Sequence, residues 1–182
     1  MTASTDRFTV LTGGPGSGKT TLIDRLRAAG HGTTEEAGRA IIRDQTAIGG
    51  PALPWRDPAL FAEAMLCREM HTHRTAPTEG RVFFDRGVVD VAGYLRLEGL
   101  AVPAHVDAAA RVFRYHPRVF AAPPWPEIYV RDGERWQSAE TAERTYEAVT
   151  AAYRHYGYDL VELPRASVAE RLRFIAERVP GR

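Results

Sequence analysis

The chain has 182 residues, enough for one domain with a full hydrophobic core and too few for two ordinary ones. Its 44% apolar and 26% charged content is that of a water-soluble globular protein, and a net charge of +1 gives no field to attract nucleic acid or an anionic membrane. The single Cys67 cannot close an internal disulfide. No apolar run approaches the roughly 18 residues a membrane span needs, and the start, MTASTDRFTV, lacks the basic and apolar regions of a signal peptide. These features together lead to the expectation of a cytoplasmic protein.

FTVLTG, 8–13, is a short β-rich run that stops at glycines, and a helical pattern with Leu22, Ile23 and Leu26 apolar follows as far as Gly30. HGTTEEA, 31–37, reads as a second short strand and RAIIRDQTAI as the helix after it. GGPALPW is a loop. Asp57 before Pro58 reads as a helix N-cap followed by proline at the first helical position, with the helix running to about Arg74.

RVFFDRG, 81–87, is a strand whose apolar centre lacks alternation, as expected when both faces are covered. A helix near 90–98 stops at Gly99, and another runs from Pro103 to before Pro117. The proline-rich stretch 117–126 reads as a loop within the domain, leading into a third clear strand at EIYV, 127–130. Ser138 to Tyr156 is a helix with Ala142, Tyr146, Val149 and Tyr153 on one face. GYDLVELP, 157–164, is the last strand, and the closing helix carries Ser167 and Glu170 in capping-box spacing. Strands alternating with helices predict an α/β fold, with a mostly parallel five-stranded sheet covered by helices on both faces.

The chemistry is concentrated at Gly13-Gly14-Pro15-Gly16-Ser17-Gly18-Lys19-Thr20, a complete G-x-x-x-x-G-K-[ST] between a strand and a helix. The glycines let the backbone wrap with its N–H groups pointing inward, and the helix that starts there adds the positive end of its dipole. These residues and Thr21 are the expected nucleotide contacts, with the Thr20 hydroxyl available to Mg²⁺. Lys19 is the only lysine in a chain with 23 arginines. A slim ammonium can reach the β- and γ-phosphates inside so tight a loop, and a planar guanidinium cannot.

A phosphate loop needs a second acid for the metal at the end of another buried strand, and Val82-Phe83-Phe84-Asp85 supplies it. The next residue is Arg86 rather than the glutamate that AAA-type hydrolases use to activate water, which argues against vigorous ATP hydrolysis. No N-K-x-D guanine motif is present, so ATP is the default nucleotide.

The order GGPGSGKT, EEAGRAI, FFDRGVVDVAGYL, PPWPEIYVRDGERWQS and YGYDLVELPRASVAERLRFI resembles a bacterial family of small predicted ATPases in the P-loop kinase group. That family is related to ribosylnicotinamide kinase and, more distantly, to deoxynucleoside and thymidylate kinases. The resemblance implies a three-layer P-loop NTPase sandwich over residues 1–182 and phosphoryl transfer from ATP, with Mg²⁺, to a small nucleoside- or nucleotide-like acceptor. It also implies that Asp85 holds metal or takes the acceptor proton and that Arg86 contacts phosphate. Glu35, Glu36 and Arg39 would meet the acceptor, with only one of the two neighbouring glutamates facing it. Arg131 and Arg135 would lie on a lid at about 131–137, and Pro164 would border the adenine.

Other residues have plainer readings. Asp90 is expected as a helix N-cap, His71 and His73 diverge too far for a metal pair, and Trp55 and Trp125 are expected to be buried, with stacking on a planar acceptor ring as the alternative. Two rival functions remain: a slow ATPase or nucleotide-dependent switch acting on a protein partner, and a nucleic-acid end kinase, which the near-neutral charge opposes. A concave acceptor pocket between 31–42 and the helix at 57–74 would mark a kinase, and a flat, filled surface there would favour the switch.

Overall fold

A computed structural model describes residues 5–128 and 139–179. Five parallel strands, β1 (Phe8–Gly13), β2 (Gly32–Thr33), β3 (Val82–Asp85), β4 (Arg118–Ala122) and β5 (Asp159–Glu162), form one sheet in the order β2-β3-β1-β4-β5. Between and after them run α1 (Lys19–Ala28), α2 (Ala37–Ile48), α3 (Pro58–Thr75), α4 (Val88–Leu97), α5 (Ala104–Val112), α6 (Ala139–His155) and α7 (Val168–Arg178).

β1 is the central strand, buried at every position. Its side chains alternate between two cores. Phe8 and Val10 pack with Val82 and Phe84 under the layer containing α3, α4, α5 and α6. Leu11 joins Phe83 and Phe120 under α1 and α7, against Leu22, Ile23, Leu26, Ile175 and Val179. Helices therefore cover both faces, which is why the strands read as unbroken apolar runs.

Local chemistry sets several helix boundaries. Asp57 accepts a hydrogen bond from the Leu60 N–H at 2.9 Å, with Pro58 in the first turn of α3. Ser167 Oγ accepts from the Glu170 N–H at 3.3 Å while the Glu170 carboxylate takes the Ser167 N–H at 2.9 Å.

Several sequence expectations about the elements fail. The fourth strand in chain order is Arg118–Ala122, inside the stretch read as a loop, while the described part of the expected 127–130 strand lies in a 3₁₀ turn, Pro126–Ile128. Alanine is a poor strand former, so this segment carries little strand signal. A Cβ on Gly13 of β1 would come within 2.2 Å of the Ala122 carbonyl oxygen, so the end of β1 beside β4 needs glycine. β2 is two residues long rather than seven, although the Thr34 N–H still donates to the Phe83 carbonyl just beyond it. α5 ends at Val112 and does not reach Pro117. Trp55 is 66% exposed, not buried, because it sits in the loop between α2 and α3 beyond the reach of either core.

His73 points into an aromatic cluster, with its ring 5.0 Å from Phe8 and 5.1 Å from Tyr115, and its Nε2 lies 2.8 Å from the Arg114 carbonyl oxygen. His71 is exposed, so the two histidines diverge.

Candidate active site at the phosphate loop

The loop leaves the C-terminal end of β1 and enters α1 through Gly18, which caps the helix in the left-handed conformation at φ 74°. That conformation suits glycine and would strain a residue with a Cβ. Gly14 is required for a different reason, since a Cβ there would stand 2.5 Å from the Ala142 carbonyl oxygen of α6. The Ser17 hydroxyl donates to the Gly14 carbonyl at 2.9 Å and closes the loop across its base.

Lys19 is 5% exposed, and its ammonium donates to the Gly14 carbonyl at 3.4 Å. Burial, reinforced by the charge of Arg86, lowers its pKa to about 8. Thr20 and Thr21 are exposed on the first turn of α1, and Pro15 and Gly16 are half-buried in the loop.

Asp85 ends β3 beside Leu11 of β1, one strand away from the loop. Its N–H donates to the Thr34 hydroxyl at 3.0 Å. Its carboxylate is buried, and Oδ1 has no hydrogen-bond partner among the described residues. Burial raises its pKa, against the opposing pull of Lys19. Among the described residues no three His, Cys, Asp or Glu side chains converge as a metal centre. One orphaned carboxylate oxygen near a phosphate loop nonetheless fits Mg²⁺, which is commonly held by one or two side chains together with substrate phosphates.

Arg86 follows in the left-handed region at φ 74°, the only non-glycine residue so placed among the described residues. Its Nε donates to Glu36 at 3.2 Å and its Nη1 to Asp90 at 3.3 Å. Burial opposes its charge, but Glu36, Asp90 and Asp85 outweigh that and raise its pKa. Glu36 also pairs with Arg39 at 3.1 Å. Burial alone would raise the Glu36 carboxyl, yet Arg86, Lys19 and Arg39 hold it below the ordinary glutamate value.

Glu35 turns the other way and pairs with Arg43 and Arg68 on the surface. The geometry thus brings Lys19, Glu36, Asp85 and Arg86 together, keeps Arg39 at their margin and leaves Glu35 outside. Pro164 is half-buried between β5 and α7. Arg131 and Arg135 lie outside the described residues.

Asp90 is not the N-cap expected from the sequence. The cap is Gly87, and Asp90 is the third residue of α4. Its carboxylate accepts from the Gly87 N–H at 2.9 Å, the Thr12 hydroxyl at 2.5 Å and the Tyr153 hydroxyl at 2.7 Å, in addition to Arg86. It ties β1, α4 and α6 to the arginine. The sequence signal for it was D-R-G-x-x-D, which places an acid four residues after Arg86 and three after the glycine that caps α4. Glu69 of α3 was also missed. It is 5% exposed, and burial, with Asp90 and Asp85 nearby, raises its pKa well above the ordinary value.

The space between α2 and α3 is filled by Ala37, Ile41 and Phe61, with Ile42, Ala64, Met65 and Tyr94 around them. That filled surface is the outcome that favours a switch over a kinase, and it leaves the polar cluster beside the loop as the place where an acceptor would have to be met.

Solved structures share this architecture. Deoxyadenosine kinase from M. mycoides, with the products dCMP and a flexible dCDP bound, superposes with a TM-score of 0.65 at 13% identity, over 94% of this chain and 97% of that one. The NadR protein in complex with NR superposes with a TM-score of 0.67 at 18% identity, over 96% of this chain but only 52% of NadR. At such identities the likeness establishes the fold. No curated protein matches the sequence. A family model described as an AAA domain matches residues 8–171, nearly the whole chain, and the protein belongs to that family.

Proposed function

We propose that the protein is an ATP- and Mg²⁺-dependent phosphotransferase with a small nucleoside- or nucleotide-like acceptor. The observation that carries this reading is the meeting of Glu36, Asp85 and Arg86, all largely buried, with Lys19 at the phosphate loop. A binding module needs the loop alone. A buried acid pair with an arginine fixed between two carboxylates is the equipment of group transfer.

In this reading the loop amides and Lys19 hold the triphosphate. Thr20 and Asp85 hold Mg²⁺, which supplies charge neutralisation on the transferring phosphates. Glu36 is kept ionised by Arg86 and Arg39, so it can accept a hydrogen bond from the acceptor hydroxyl and orient it. Arg86, positioned by Asp90, stabilises charge on the transferring group. Pro164 borders the adenine, and Arg131 and Arg135, which lie outside the described residues, act on the phosphates. The net charge of +1 supports a small acceptor over a polynucleotide. No helix of the described residues is long and apolar enough to cross a membrane, and the cytoplasm is the proposed setting.

The test is a thermal-shift series with Mg-ATP alone, then with nucleosides, nucleotides and other metabolites bearing a free hydroxyl. A ligand at a hundred times its dissociation constant is expected to add about 2.7 kcal/mol of stability. Hits are then assayed for phosphorylated product. A shift with Mg-ATP and ADP release that no acceptor accelerates would replace the kinase with a slow ATPase or switch.

A further inference from the structure

Arg171 is a buried cation on α7, the helix that packs under the sheet face opposite α3, α4 and α6. It is 2% exposed and its Nε has no hydrogen-bond partner among the described residues. Its Nη1 donates to the carbonyl of Ser17, in the middle of the phosphate loop, at 3.0 Å. No carboxylate shifts its pKa, and burial alone pushes the guanidinium below the ordinary arginine value. It is also the fourth residue of α7, close to the positive end of that helix dipole. A dry, unpaired charge at a helix N-terminus is unfavourable on every count unless an anion balances it.

The one bond it makes shows where that anion binds. A planar trans peptide points its C=O and the following N–H in opposite directions. Drawing the Ser17 carbonyl toward α7 turns the Gly18 N–H away from α7. Gly18 is the residue that opens α1, where backbone N–H groups and the helix dipole form an anion nest.

We propose that Arg171 is a positioning residue for the triphosphate: it holds the Ser17–Gly18 peptide with its N–H facing the phosphates, and the polyphosphate chain balances its otherwise uncompensated charge. The proposal rests on the phosphate-binding reading of residues 13–20 and assigns to α7 a part in nucleotide binding that the phosphate-loop motif does not contain.

The test compares wild type with Arg171→Met and Arg171→Lys. Calorimetry with Mg-ATP, with magnesium tripolyphosphate and with adenosine is combined with thermal melts with and without Mg-ATP. Arg171→Met is expected to lose about tenfold in affinity for both phosphate ligands, the size of one charge-assisted hydrogen bond. Adenosine binding is expected to be unchanged, and the Mg-ATP-induced rise in Tm to shrink. Arg171→Lys keeps the charge and one donor, so it is expected to recover part of the loss. It also carries the test if the Met variant does not fold. In turnover assays the KM for ATP rises while kcat is held.

A folded Met variant that binds Mg-ATP and tripolyphosphate as tightly as wild type overturns the role of Arg171 alone. A lower Tm without ligand, with unchanged affinity in both variants, also overturns it and leaves Arg171 a packing residue. Failure of wild type itself to bind any polyphosphate removes the phosphate-loop reading and this role together.

Discussion

The phosphate loop and the charged cluster facing it are adjacent but made differently. The loop is backbone: eight consecutive residues, 13–20, shaped by glycines and closed by Ser17 and Lys19 on one carbonyl. The cluster is side chain: Glu36 from the start of α2, Asp85 and Arg86 from the end of β3, and Asp90 from α4, with Thr12 and Tyr153 reaching in from β1 and α6. The loop needs only a strand before it and a helix after it. The cluster exists only once five segments have packed. Substitutions in the loop are therefore expected to act mainly on nucleotide binding, and substitutions in the cluster on folding as well.

The sharpest separation is expected from Lys19→Ala. Removing the ammonium leaves the loop backbone intact, so melting temperature and circular dichroism are expected to stay near wild type while turnover falls by about a thousandfold or more, as for other groups acting on the transition-state charge. Normal turnover in that folded variant would contradict the assignment.

Asp90→Ala is the counterpart in the cluster. It strips Arg86, Thr12, Tyr153 and the Gly87 N–H of a shared partner, and breaking such a buried ion pair is expected to cost about 3–5 kcal/mol in urea unfolding. A loss below about 1 kcal/mol would show that Asp90 does not organise the cluster.

Gly14→Ala tests the boundary between the two regions, because the new methyl meets the Ala142 backbone of α6 at 2.5 Å. Forcing those elements apart is expected to destabilise by about 1–3 kcal/mol. Nucleotide affinity is expected to fall with it. Unchanged stability would mean that loop and helix separate freely.

The smallest effect is in pH dependence. Lys19 has a pKa of about 8 in the folded protein against 10.5 in the unfolded chain. The unfolded state therefore holds the proton more tightly, and the cost of burying the charge is present below pH 8 and relieved as pH rises toward 10.5. Mg-ATP favours the protonated amine, so its binding is expected to weaken above pH 8 with proton uptake. Calorimetry in buffers of different ionisation enthalpy measures that uptake, which should vanish in Lys19→Ala.

The same division decides what could be read from the sequence. Lys19, Thr20 and the glycines stood out because their chemistry is contiguous. Asp85 stood out because it ends an apolar strand. The alternation of neighbours implied that only one of Glu35 and Glu36 faces the site and left open which, and β2 stops at Thr33 before reaching either. Asp90 was misread because a cap is a local explanation and its partners Thr12 and Tyr153 lie 78 and 63 residues away. Arg171 was hidden in the closing helix, where the sequence marked only the cap, and its contact with the Ser17 carbonyl spans 154 residues. β4 was missed because its alanines carry no strand signal and prolines follow it directly.

The most direct measurement is a calorimetric titration of Mg-ATP into wild type and Lys19→Ala under identical conditions. The expected result is saturable heat at one site in wild type and none in the variant. No heat in well-folded wild type, or equal heat in the folded variant, would contradict the claim that a buried ammonium at the head of α1 holds the triphosphate.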